Sequence, residues 1–339
     1  MKDYWQKRFE QIEQDANTKG VRYARTLEKK YQLAIKEING KIASWYERLA
    51  INNKISVEDA HKLLNANELK EFKWTLEEYI KYGRENAINK LWLKELENAS
   101  AKVHIRRLDA LKLEIEHQIQ ILMDKYQQDL FENLKSVYED SYYKTIYTVQ
   151  QGTSVGWAVA TLDENIINKV LNKPWSVSGV NFSNNIWQNK TKLINILNQE
   201  LSRIVLTGDD CKSTVKRVSN DMGVSLSSAK RLIYTEHNYF CTLAKNDGYK
   251  ECGIDEYEII CTLDSLTCSK CGAKDKEHYP ISEMEIGVNA PPFHPNCRCT
   301  TAPYSGLELE GAVRASRNEK GKTIFIKDMS YTEWKEQQI

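Results

Sequence analysis

The chain has almost no turn chemistry in its first half. Proline is absent from the first 173 of 339 residues, and the first 150 hold only Gly20, Gly40 and Gly83. Residues that break helices are missing there, so the half reads as long helices. A net charge of one sign is missing too, because 48 Lys and Arg face 47 Asp and Glu for a formal +1. That balance excludes whole-molecule attraction to nucleic acid or to a membrane surface and leaves only local patches for such contacts. No apolar run approaches membrane-spanning length. The opening MKDYWQKRFEQIEQD is charged and reads as no secretory signal. The protein is therefore expected to be made in a reducing, cytoplasm-like place, where clustered cysteines more often bind metal than form bridges.

Apolar residues recur at helical spacing where turn residues are scarce. Trp5, Phe9 and Ile12 share one face, as do Tyr31, Ile35, Ile38, Ile42 and Leu49. The longest stripe runs Leu108, Leu111, Ile115, Ile119, Leu122, Tyr126, Leu130 and Leu134, in steps of three and four with charged residues between. A helical bundle core explains it, and a partner-facing helix is the alternative. Ser56-Val-Glu-Asp59 reads as an N-cap before a short helix to Leu64. Gly152, Gly156, Asn172-Lys-Pro174-Trp175 and Ser178-Gly179 interrupt the pattern, which places a boundary near Gln150. The expected division is a helical region at 1–150 and a second module at 151–339. Helical spacing resumes from Ile186 to Val205 and stops at Thr207-Gly208. Two short pieces follow, Ser213–Met222 and Ser225–Lys245, with a turn at Gly223. Tyr257–Thr262 and Thr323–Ile326 are strand candidates. Arg314–Lys320 reads as a polar connection, and Tyr331–Gln338 as a helix with Trp334 inward. The fold class is mainly α with a smaller α+β module.

Function-bearing chemistry concentrates in Cys261–Pro303, which holds five of the eight cysteines, two of the six histidines and five of the six prolines. Cys268 and Cys271 form a C-x2-C, which puts two sulfurs on one turn and within reach of one tetrahedral zinc. His294, Cys297 and Cys299 return on a Pro-braced loop. A structural zinc would let this loop hold one shape without a large core of its own. Packed reduced thiols and disulfides are the alternatives. Five groups compete for four positions. Neighbours one residue apart point the same way in extended backbone, and sulfur suits zinc better than imidazole in a closed site. The expected order is Cys268, Cys271, Cys297 and Cys299, with His294 as a replacement or supporting group.

Two other constellations bear on function. Ser213–Ile233 has the proportions of a helix-turn-helix, although Asp209, Asp210 and Asp221 dilute its charge. Lys212, Lys216, Arg217, Lys230 and Arg231 leave looser phosphate contact open. His278, Asn289 and His294 could be drawn as a zinc-supported His–Asn–His nuclease, but no telling spacing of acids and bases supports an enzyme. Thr235-Glu236 is expected to brace the cysteine loop, with the carboxylate accepting from that loop or from Arg298.

Motifs in a fixed order carry a resemblance. They are Pro174-Trp175-Ser176, Phe182–Trp187, Gly208, Ala229–Glu236, Asp264–Gly272, Pro291–Cys299, Lys320-Gly-Lys322 and Tyr331–Trp334. Over Pro174 to Trp334 the chain resembles the phage head-morphogenesis or minor head proteins typified by phage Mu protein F, and the cysteine–histidine block is the specific part. The resemblance implies a non-enzymatic minor head protein of a tailed phage or prophage, made in the bacterial cytoplasm and carried in few copies in the virion. It implies association with the portal and with capsid or scaffold proteins, no membrane, and for some members non-specific contact with phage DNA. Some relatives carry a toxin domain after this module, and none is expected after Trp334. The competing readings are a nucleic-acid-binding zinc protein with no virion role, and the nuclease.

Overall fold

The structure, a computed structural model, describes residues 2–53, 107–156, 159, 161–175, 179, 181–207, 211–304, 313–317 and 323–337. Its order is α1 (Lys2–Asn53), α2 (Arg107–Thr153), α3 (Glu164–Asn172), α4 (Phe182–Thr207), α5 (Cys211–Glu251), β1 (Glu256–Ile260), α6 (Ser269–Gly272), β2 (His278–Pro280), β3 (Thr300–Pro303), β4 (Val313–Arg317), β5 (Thr323–Lys327) and α7 (Tyr331–Glu336). The mainly α class with a small antiparallel module near the C-terminus is what the molecule has. Among the described residues no helix is long and apolar enough to cross a membrane. The short helix proposed at Ser56–Leu64, together with Gly208 and Lys320-Gly-Lys322, lies outside the described residues.

The chain forms two compact units. Unit 2 is Thr26–Gln128 with Ser183–Ala229. Its helical segments bury most of the stripes read from the sequence, with Ile35 half-buried and Ile196 exposed. Leu27, Tyr31, Ile38 and Ile42 are buried on α1, Leu111, Ile115, Ile119, Leu122 and Tyr126 on α2, and Leu193, Leu197 and Leu201 on α4. Burying such side chains stabilises by about 1.5–3 kcal/mol each. Polar ties fix the pairings. Tyr31 Oη lies 3.0 Å from Ser225 Oγ, Tyr126 Oη donates to the Ala229 carbonyl at 3.2 Å, and the Asn198 amide donates to Glu116 at 2.7 Å.

One expectation fails here. The turn placed at Gly223 does not exist, because α5 runs without a break from Cys211 to Glu251. A glycine inside a helix costs about 1 kcal/mol. Val218, Met222, Ala229 and Ile233 continue a buried stripe past it, and that burial outweighs the local penalty. The separate recognition helix of a helix-turn-helix is therefore absent from this segment.

Unit 1 is Met1–Arg25, Asp129–Phe182 and Lys230–Ile339. Its helical part joins the start of α1, the end of α2, α3 and the second half of α5. A Cβ on Gly248 of α5 would sit 2.8 Å from Thr145 Cγ2 of α2, so the two helices approach where glycine leaves room. The sheet follows α5 in order β2–β1–β3, antiparallel throughout, with Tyr257 opposite Tyr279 on one side and Pro303 on the other. Central β1 buries Tyr257, Glu258, Ile259 and Ile260.

The stretch expected to be a polar connection contains a strand. β4 pairs with β5, Ala315 opposite Phe325. Its inward residues are Arg314, 1% exposed, and Ser316, 2% exposed, so no apolar alternation announces it. Arg314 forks onto both carboxylate oxygens of Asp275 and also donates to the Cys261 and Met329 carbonyls. Asp275 in turn accepts from the Cys261 and Tyr331 N–H groups, each at 2.8 Å. Through this one ion pair β4, the end of β1 and the start of α7 are held together. The final helix opens with a capping box at Ser330 and Glu333 and turns Tyr331 and Trp334 onto Leu263.

Candidate metal centre

The cysteine loop is built on unit 1. Cys268 is the N-cap of the one-turn helix α6, and its sulfur accepts the Cys271 N–H at 3.5 Å. Lys270 donates to the Phe293 carbonyl at 2.8 Å and ties α6 to the return half of the loop. A Cβ on Gly272 would fall 2.2 Å from Tyr331 Cδ1, so α7 packs directly on the back of this turn.

The return half is held from α5. Asn296 sits in left-handed backbone at φ 60°, and its N–H donates to Thr235 Oγ1 at 3.2 Å. Arg298 forks onto Asp264, with one arm at 2.7 Å, and Asp264 also caps the turn by accepting from Leu266 N at 2.9 Å. The expected partnership of Glu236 with Arg298 is thereby corrected. Glu236 accepts instead from Trp175 Nε1 at 3.0 Å, and the Trp175 ring stacks on Tyr239 at 4.2 Å. Thr235 does brace the loop. Burial, opposed by the Trp175 bond, lifts the Glu236 carboxyl to about 7.

All five sequence candidates converge. The ligand atoms of Cys268, Cys271 and His294 lie within 4.8 Å of one another, and so do those of Cys271, Cys297 and Cys299. Cys271 belongs to both groups. His294 Nε2 is 3.3 Å from Cys268 Sγ and 3.1 Å from Cys271 Sγ, and Cys271 Sγ is 3.8 Å from Cys297 Sγ. His294 Nδ1 lies 2.8 Å from the Pro295 carbonyl. An oxygen there requires an N–H on Nδ1, so the neutral ring presents a bare Nε2 lone pair to the sulfurs. The Cys297 thiol is pulled down, first by its hydrogen bond from Cys271 and then by Cys299, whereas the Cys271 thiol is pushed up by the same partnership.

A sixth member was not among the candidate ligands. Cys261 Sγ is 3.1 Å from Cys299 Sγ and donates to the Cys271 carbonyl at 3.0 Å. Only the strand register reveals it. The other sequence candidates are dispersed. His278 stacks on Tyr304 and faces Glu256 at 3.3 Å, while Asn289 braces its own turn through Glu283 and Glu285. His278, Asn289 and His294 thus each serve a separate local contact. On α5, Lys212, Lys216 and Arg231 are exposed and Lys230 is half-buried, and Arg217 pairs with Glu200 at 2.5 Å.

Residues 195–302, about a third of the chain, match the family model described as Phage Mu protein F like protein. No curated protein and no solved structure matches the chain. The matched segment takes in all of α5, the three-stranded sheet up to β3 and every candidate ligand. Over that segment, which is built around the cysteine–histidine centre, the chain is therefore similar to the phage Mu protein F like proteins.

Proposed function

We propose that this protein is a structural, non-enzymatic minor component of a tailed-phage head, acting in head assembly at the portal, and that zinc pins its C-terminal module. The family match over the segment that contains the cysteine–histidine centre carries the reading. Portal and capsid or scaffold proteins are its partners, and packaged DNA is a weak, sequence-tolerant one through α5. The dispersal of His278, Asn289 and His294 supports a role without catalysis. Mass spectrometry of purified virions tests the role. The protein should be present, at a small fraction of the major capsid protein, and its complete absence from particles would replace a virion role by a scaffold or chaperone role.

The ligand set we take is Cys268, Cys271 and His294, whose ligand atoms lie within 4.8 Å of one another, with Cys297 as the fourth member through its approach to Cys271. In a tetrahedral site with Zn–S near 2.3 Å, neighbouring sulfurs stand roughly 3.8 Å apart, and Cys271 and Cys297 are at 3.8 Å. His294 takes the place that sulfur preference alone would give to Cys299, because its Nε2 already lies against two of the sulfurs. Zinc there would supply fixed cross-links and no chemistry. It would join α6 to the return loop, so that Thr235, Arg298 and Asp264 hold one shape. About one zinc per chain is expected from a single closed site.

A further inference from the structure

Strand β1 pairs with β3 in a register that sets Ile260 opposite Thr300. Continued one step beyond the strands, that register sets Cys261 opposite Cys299. Opposed residues in an antiparallel pair alternate between those exchanging two backbone hydrogen bonds and those exchanging none. Tyr304 N donates to the Glu256 carbonyl, which marks 256 and 304 as a bonded pair. Counting along the strands, 258 with 302 and 260 with 300 are bonded, and 257, 259 and 261 fall between. Two observations agree. Pro303, which has no N–H, faces Tyr257, and the Cys261 N–H turns away to Asp275 Oδ1. A non-bonded pair brings its Cα atoms to about 4.5 Å with side chains leaning together, inside the span a disulfide needs. The sulfurs stand 3.1 Å apart, and both residues are buried.

If Cys268, Cys271, His294 and Cys297 hold the metal, Cys261 and Cys299 remain as an unclaimed dithiol beside it. We propose that this pair is a redox modification site, a cross-strand dithiol that a peroxide closes to a disulfide while the adjacent metal centre stays intact. The inference rests on the ligand set proposed above. One thiolate attacks the O–O bond, forming S–OH and releasing hydroxide, which takes a proton to become water. The second sulfur then attacks the first and displaces the hydroxyl as a second water. Two thiols are oxidised, one peroxide is reduced, and two waters leave. Hydrogen peroxide is close to water in size, so it suits a buried pair that larger disulfide reagents would reach slowly.

The test treats the full-length protein with dilute hydrogen peroxide and reads intact mass, non-reduced peptide maps and zinc content together. The expected result is a mass loss of about 2 Da, a peptide joining Cys261 to Cys299, zinc unchanged, and reversal by dithiothreitol. Cys261→Ser should abolish the cross-link and keep the zinc. A cross-link between other cysteines, oxygen adducts on an unlinked Cys299, or zinc leaving in step with oxidation would each overturn the proposal. So would zinc loss in Cys299→Ser, since Cys299 would then be a ligand. A Cys261–Cys299 link in protein that never held zinc would support the dithiol and sink the ligand set instead.

Discussion

Lys245 on α5 is the sharpest point at which to strike unit 1. Its side chain is 0% exposed and its Nζ lies 2.7 Å from Glu13 Oε2 on α1, itself only 5% exposed. The same ammonium donates to Thr300 Oγ1 on β3, and the Asn238 amide donates to the other Glu13 oxygen at 2.7 Å. Burial pulls the Lys245 pKa down, but Cys241 and Glu13 beside it leave it raised, so the ammonium keeps its charge in the fold. At 2.7 Å and an effective dielectric near 20, the attraction is about 6 kcal/mol. Several kcal/mol of desolvation per ion oppose it, so the intact pair nets close to zero. Removing one member leaves the other buried without its counter-charge. Lys245→Met, nearly isosteric, should therefore destabilise the protein by about 3–5 kcal/mol. Glu13→Leu with Lys245→Met should recover most of that loss. Urea unfolding of the wild type, both single variants and the double variant measures the coupling. The reasoning fails if Lys245→Met alone costs under about 1 kcal/mol, or if the double variant equals the sum of the singles.

The raised Glu236 carboxyl, about 7 against an ordinary 4.5, keeps its proton in the fold, so its penalty is absent below 4.5 and complete above about 7. Glu236→Gln should therefore add about 3 kcal/mol at pH 8 and almost nothing at pH 4.5, and equal gains at both in denaturant titrations would remove burial as the cause. Gly272→Ala drives a methyl into the Tyr331 ring and should lower stability by about 1–3 kcal/mol in the same assay; an unchanged midpoint would mean that α7 does not rest on α6. Cys271→Ser removes the one residue common to both ligand groups. It should release the zinc and raise hydrogen exchange between Tyr257 and Tyr304 while the long helices keep their protection, whereas retained zinc refutes the ligand set. Lys212→Ala with Lys216→Ala should flatten the salt dependence of DNA affinity by about two charges, and a sequence-specific footprint at moderate salt would contradict sequence-tolerant contact.

The long helices were legible because their stripes are apolar and regular. Leu111 through Leu134 are buried in the order in which the spacing places them. The metal candidates were legible because a C-x2-C confines two sulfurs to one turn, whatever the rest of the fold does. Features that depend on distant pairing were not. β4 hides because it turns Arg314 and Ser316 inward, and what makes Arg314 a core residue is Asp275, 39 positions earlier. Gly223 read as a stop because local propensity was visible and the buried stripe carried across it was not. Cys261 lay in view at the edge of the cysteine stretch, but its partner follows from strand register, which no spacing in the sequence encodes. Nothing in the spacing along α1 marks Glu13 for burial, because the residues of α5 and β3 that close over it lie more than 200 positions away.

The closure of α5 and β3 over Glu13 also sets an order of events during synthesis. Glu13 is joined to Lys245 across 232 positions and to Thr300 across 287. At about 5–20 residues per second, a nascent chain makes Glu13 tens of seconds before Thr300 exists. Contacts of such sequence separation repay their loop-closure entropy only when the last partner arrives. Until then α1 has its α2 partner, reached through Tyr4 and the Thr148 carbonyl, but neither Tyr249 of α5, which packs on Phe9, nor Thr300 of β3, which meets Glu13. Helix α1 is thus made long before β3 and sealed only when β3 arrives, which makes the interval before β3 emerges the window in which this chain is most exposed to mispairing with its own copies.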